Sequence, residues 1–84
     1  MTEAEGGAAP PADEVLDCVG LFCPNPIIQT SQRLKELGPV QTLEVIADDP
    51  TFPKDIPDWC GKTGHEFLGI RIVDGEFRAL IRKP

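Results

Sequence analysis

Apolar and polar residues alternate with a period of two over Thr42–Ala47 and again over Glu76–Arg82. That is the spacing of strands whose two faces see different surroundings. In the second run Phe77, Ala79 and Ile81 share one face, and Arg78, Leu80 and Arg82 share the other. Glu14–Cys18 is a short extended run rich in apolar residues, and Phe67–Val73 is another. Asp74-Gly75 is a hairpin dipeptide between the last two strands. A different period appears at Ile27, Ile28, Leu34 and Leu37, which predicts a helix over 24–37. Pro24 and Pro26 fit the first turn of that helix, where backbone N–H groups lack intrahelical acceptors, and Gly38-Pro39 stops it. Residues 54–63, around Ile56, Trp59 and Cys60, read as a second helix closed by Gly64, with a start blurred by Pro50, Pro53 and Pro57. The order is βαβαββ. A strand–helix–strand crossover makes the first two strands parallel, and the terminal hairpin adds antiparallel pairing. The expected fold is an α/β (α+β) two-layer sandwich, a mixed four-stranded sheet with both helices on one face.

A chain of 84 residues makes one domain. It buries only about 60–65% of its unfolded surface, so it offers an exposed site on a rigid scaffold and cannot enclose a large substrate. Residues 1–13 are Ala, Gly, Pro and acid without periodicity, which predicts a disordered acidic tail ahead of a 14–84 domain. Of the net charge of −6, the first 14 residues supply four acids and no base, leaving ten acids against eight bases in the remainder. A near-neutral folded part without an aromatic stacking platform argues against direct nucleic-acid binding. No apolar run approaches the roughly 18 residues needed to span a bilayer, so no membrane association is expected. With no basic start and apolar stretch of a signal peptide, the expected location is the cytoplasm, where thiols stay reduced. Three cysteines, an odd number, also argue against a disulfide framework.

Cysteine chemistry therefore becomes the question. Cys23 stands at or just before the first position of the first helix. The helix macrodipole favours thiolate there, and at such sites a cysteine pKa falls from ~8.5 to roughly 3.5–7.5. The same field stabilises a persulfide anion. Pro24 and Pro26 stiffen the turn, while Asn25 between them and the loop through Gly20 should leave the sulfur accessible. On the residues alone the alternative stays open that Cys23 is a buried cysteine acting as a small hydrophobe. Core packing is the expected role of Cys60. Cys18, five residues before Cys23, is either inert or a resolving thiol that collapses a persulfide to a disulfide. His65 is expected to make a structural hydrogen bond. Arg33, Lys35, Arg78, Arg82 and Lys83 read as solvated charge, and Asp48, Asp49, Asp55 and Asp58 as turn and helix N-terminal groups. A rival class is a small zinc domain using Cys18, Cys23, Cys60 and His65. The four residues between Cys18 and Cys23 are at the limit for such a site, which would also commit Cys23 to the metal.

The run Asp17-Cys-Val-Gly20-Leu-Phe-Cys23-Pro-Asn-Pro26 resembles the signature of the TusA/SirA-like sulfur-carrier proteins, in which a Cys-Pro-x-Pro motif opens the first helix after a Gly-Leu turn. Asp48-Asp49-Pro50, Asp55-Ile56-Pro57-Asp58-Trp59-Cys60 and Gly64-His65-Glu66 are similar to further family features in order and position, so the resemblance covers about residues 14–83. It implies the βαβαββ sandwich, no cofactor and no metal. It also implies that Cys23 accepts sulfane sulfur from a donor protein, a cysteine desulfurase or rhodanese, and passes it to an acceptor protein. The family's uses are tRNA thiolation, molybdenum cofactor supply and sulfur oxidation. A non-catalytic regulatory or interaction module remains the alternative.

Overall fold

The computed structural model describes residues 12–22 and 24–84. Its elements are β1 (Glu14–Asp17), α1 (Asn25–Glu36), β2 (Thr42–Ala47), α2 (Phe52–Thr63), β3 (Glu66–Val73) and β4 (Glu76–Arg82). The sheet order is β1-β2-β4-β3. β1 lies parallel to β2, and β4 is antiparallel to both β2 and β3. The expected fold class is thus the one observed. Of the expected tail, residues 1–11 lie outside the described residues. Asp13 is tied to β2: its N–H donates to Thr42 Oγ1 at 3.0 Å, and its Oδ2 accepts the Thr42 N–H at 2.8 Å.

Alternation decides the layers. Leu43, Val45 and Ala47 of β2, with Leu16, Ala79 and Ile81 of its neighbours, face the helices and are buried. Glu44, Arg71 and Arg78 lie on the other face, where Arg71 donates to Glu44 at 3.1 Å. Each helix buries one residue per turn at a spacing of four: Pro26, Thr30 and Leu34 in α1, and Phe52, Ile56 and Cys60 in α2. Burying Thr30 is tolerated because its hydroxyl donates to the Pro26 carbonyl at 2.7 Å. Of the expected apolar face, Leu34 and Leu37 are buried and Ile27 packs against the core, whereas Ile28 is 45% exposed.

Element ends follow their caps. Pro24 is the N-cap of α1, and Pro26 sits inside its first turn. Gly64 closes α2 at φ 83°, so that both its own N–H and that of His65 reach the Cys60 carbonyl at 3.0 Å. α2 starts at Phe52, earlier than expected, with Pro53 in its first turn and Pro57 carried inside the helix. Asp74 and Gly75 both take positive φ, 52° and 79°, as the hairpin requires.

Candidate functional site

Because β1 and β2 run parallel and each leads into a helix, α1 and α2 both begin at the same end of the sheet. The motif opens α1 at this end. Ligands of open α/β sheets gather beyond the carboxyl ends of parallel strands for the same topological reason. Two helix N-termini therefore direct their partial positive charge towards this pole. The two ends are not equivalent. The approach to α2 is occupied by Asp49, whose Oδ1 accepts the Thr51 N–H at 3.1 Å and whose Oδ2 accepts the Thr51 hydroxyl at 3.0 Å. Among the described residues α1 has no side-chain cap hydrogen bond and no acid in its first turn. Its Asn25 N–H donates to the Phe22 carbonyl at 2.9 Å, and Pro24 and Pro26 have no N–H. The α1 end thus keeps its field with few direct donors.

Cys23 itself lies outside the described residues. Its chain neighbours Phe22, 63% exposed, and Pro24 are both at the surface, as are Asn25 and Gly20, while Pro26 is buried. The preceding loop is held by two carboxylates. Asp17 Oδ1 accepts the Val19 N–H at 2.9 Å, and Asp48 Oδ1 accepts the Gly20 N–H at 3.0 Å. Gly20 has φ 87°, the left-handed conformation that glycine adopts without strain. These two positioning acids were not legible as such in the sequence. The signal for Asp17 was its place two residues before a loop N–H. Asp48 had none beyond its turn character. Beside the motif, Ile27, Ile28, Ser31, Gln32 and Lys35 of α1 and Trp59 of α2 line a groove of about 300 Å³.

The other two cysteines are core residues. Cys18 is fully buried with its thiol pushed up by burial and by Asp17, partly offset by Arg33. Cys60 is also buried, and its thiol is pushed up to about 11. A resolving role for Cys18 would require exposing this side chain. Both raised values make the folded state hold protons that the unfolded chain releases above pH ~9. Stability is therefore full below that value and is lost as pH rises towards about 11, the folded value of Cys60. Urea unfolding at pH 8 and pH 10.5 should show a loss on the order of 2 kcal/mol. Cys60→Ala should flatten the slope, and an unchanged slope in that variant would contradict the assignment.

His65 is placed away from the motif. It precedes Glu66, which pairs with Arg82, which pairs with Thr42 at the start of β2, whereas Cys18 N–H donates to Ile46 near the end of that strand. Thr42 to Ile46 spans about 13 Å of strand. The His65 ring stacks on Trp59 at 4.8 Å between centroids and 14° between planes, and Nδ1 lies 2.7 Å from Thr63 Oγ1. Since the Thr63 hydroxyl donates to the Trp59 carbonyl at 2.8 Å, His65 Nδ1–H is the donor to Thr63. Burial and the Lys83 charge push its pKa down, so it is neutral at physiological pH. The structural reading of His65 holds. The zinc set drawn from the sequence is not assembled, because His65 and Cys18 sit at opposite ends of β2. Among the described residues no three His, Cys, Asp or Glu side chains come together as metal ligands. No helix among them is long and apolar enough to cross a membrane.

A two-layer sandwich of this order is also the fold of the crystal structure of the SirA-like protein of Desulfitobacterium hafniense, to which the chain is similar at a TM-score of 0.73, with 22% identity over 82% of this chain and 95% of that one. The family model described as sulfurtransferase TusA matches residues 14–83, and the chain belongs to the TusA family. It is 42% identical over 71 residues to the sulfur carrier protein TusA of Pseudomonas syringae pv. tomato, covering 84% of each chain. It is 38% identical over 73 residues to the TusA of Pseudomonas paraeruginosa, covering 87% of this chain and 92% of that one.

Proposed function

We propose that this protein is a sulfur carrier that holds sulfane sulfur as a persulfide on Cys23. The observation that carries the reading is the contrast among the three cysteines. Cys18 and Cys60 are buried thiols held protonated. Cys23 stands in the chain between exposed Phe22 and Pro24, at a helix start with no side-chain cap hydrogen bond among the described residues, and this start shares its pole with a second helix N-terminus. The names of the relatives, sulfur carrier proteins, support the same reading.

In the forward step the Cys23 thiolate attacks the outer sulfur of a donor persulfide. The donor's S–S bond breaks, its cysteine leaves as thiolate, and the new S–S bond forms on Cys23. An acceptor thiolate then attacks the outer sulfur of Cys23–S–S⁻, and Cys23 is released as thiolate. Sulfur moves without net oxidation, so no cofactor is called for. The protein contributes the helix field, which stabilises the anion before and after each transfer, and a surface on which partners dock. Exposed Phe22, Ile28 and Val19 beside the motif, continuous in α1 with the groove to Trp59, supply that surface. The donor is a cysteine desulfurase or rhodanese and the acceptor another protein. In this reading residues 14–84 form the carrier domain and residues 1–13 an acidic tail, and the protein acts in the reducing cytoplasm.

Labelled sulfur offered as cysteine to a desulfurase should become bound to the wild-type chain and be released by reductant. A chain that stays unlabelled with every donor class sinks the proposal. Pro24→Ala loosens the N-cap while leaving the buried Pro26 in place. It is expected to slow transfer about 3–10-fold, with a stability change within about 1 kcal/mol. A large stability loss with unchanged transfer would contradict the role given to the prolines.

A further inference from the structure

We propose that Asp48 is a positioning residue for Cys23, its carboxylate holding the preceding loop in the shape that sulfur transfer uses. The proposal rests on the carrier reading above and adds the element that sets the approach to the cysteine.

The loop leaves β1 at Asp17 and reaches the motif through Cys18–Phe22. Each backbone N–H along its first four residues has an acceptor. Cys18 donates to the Ile46 carbonyl at 2.7 Å, Val19 to Asp17 Oδ1, Gly20 to Asp48 Oδ1 and Leu21 to the Cys18 carbonyl at 3.1 Å. The first of these extends the sheet ladder. The second and fourth are local and would form in an isolated turn. Among the described residues, the bond from Gly20 to Asp48 joins the β1–α1 loop to the β2–α2 loop, across 28 residues of sequence.

Packing holds the loop on either side of Gly20, through buried Cys18 and through Leu21 against the core, but at Gly20 itself no atom of the described residues outside its chain neighbours lies within 4 Å of where a Cβ would stand. Gly20 is also at φ 87°, and glycine is the residue that most readily leaves a given conformation. Without its acceptor the turn at Gly20 would sample other shapes, and the approach to the motif would change with it. A bond to an ionised acceptor is of the stronger kind. Asp48 is itself exposed and stands outside the core, so its purpose is not core stability. The adjacent acid behaves differently, since Asp49 is buried and turned to Thr51 at the start of α2. Asp48 acts through the geometry of the loop, where displacement by about 1 Å can cost up to ~100-fold in rate.

Asp48→Asn keeps an Oδ1 acceptor for the Gly20 N–H, whereas Asp48→Ala removes it. Single-turnover sulfur transfer from a cysteine desulfurase charged with cysteine should be slowed about 10-fold in D48A at saturating donor. The half-saturating donor concentration should change less than about 2-fold, and D48N should recover the rate to within about 2-fold. Hydrogen exchange of the Gly20 amide, which needs no sulfur, should be fast in D48A and protected in D48N. Wild-type transfer rates in D48A, or unchanged Gly20 protection in that variant, overturn the positioning role while leaving the carrier reading intact. D48N as slow as D48A overturns it as well, because charge and not the hydrogen bond would then be the cause. If the wild-type chain takes up no sulfur from any donor, the carrier reading fails and the positioning role falls with it.

Discussion

Replacing Cys23 with Ser is expected to reduce sulfur acceptance by more than about 100-fold while leaving the fold intact. A hydroxyl cannot form the S–S bond on which the transfer depends, and the helix field, though it lowers a thiol's pKa, cannot bring an alcohol into the physiological range. The flanking residues Phe22 and Pro24 are exposed, and the buried anchor of the turn is Pro26. The melting temperature should therefore move by no more than about 2 °C. Differential scanning calorimetry alongside a transfer assay separates the two effects. Residual transfer near the wild-type level would refute the role of Cys23. A collapse of the melting transition would recast it as a packing residue.

The second large effect concerns the scaffold. Phe52→Ala removes a side chain that is 2% exposed and lies in the first turn of α2, packed in the core with Ile56, Leu34 and Val45 among others. Emptying such a site costs about 3–5 kcal/mol, against a total of roughly 5–15 kcal/mol for a domain. For a chain of this size that lowers the melting temperature on the order of 15 °C or more. Sulfur acceptance measured well below the transition should fall far less than in Cys23→Ser, since the side chain touches no reacting atom. A urea-unfolding loss under about 1 kcal/mol would mean that the first turn of α2 is not anchored as described.

Phe52 also illustrates where the sequence stops being legible. Three prolines between residues 50 and 57 read as helix breakers, so the helix was expected to begin later. The chain instead uses Pro53 within the first turn, where no N–H is missed, and carries Pro57 inside the helix. Elements whose signals agree were readable almost to the residue. β2 and β4 alternate apart from Ile46 and Leu80, and Asp74-Gly75 marks the β3–β4 hairpin. The rotation of α1 was readable only at its C-terminal end, where Leu34 and Leu37 are buried. At the start Ile28 looks like core but is exposed, and Pro26 and Thr30 are the residues turned inward, Thr30 satisfying its hydroxyl on the helix's own backbone. Ile27 and Ile28 line the groove beside the motif.

The candidate site shows the same division. The Cys-Pro-x-Pro run, the helix it opens and the turn at Gly20 are local, and local chemistry can be read along the chain. Asp48 reaches Gly20 only once β1 and β2 have paired in parallel and brought their following loops together. Cys18, by contrast, could have been placed: it follows Leu16 with the strand period of two and continues onto the same inward face. The separation of His65 from the motif is likewise a property of the sheet order, in which β3 begins at the far end.

Intact-protein mass spectrometry tests the central claim most directly, after incubation with a cysteine desulfurase and cysteine or with thiosulfate and a rhodanese. A reductant-labile gain of about 32 Da, one added sulfur, is expected in the wild type and in Cys18→Ser and Cys60→Ser but not in Cys23→Ser. No gain with any donor, in a protein whose Cys23 is readily alkylated, would contradict that claim.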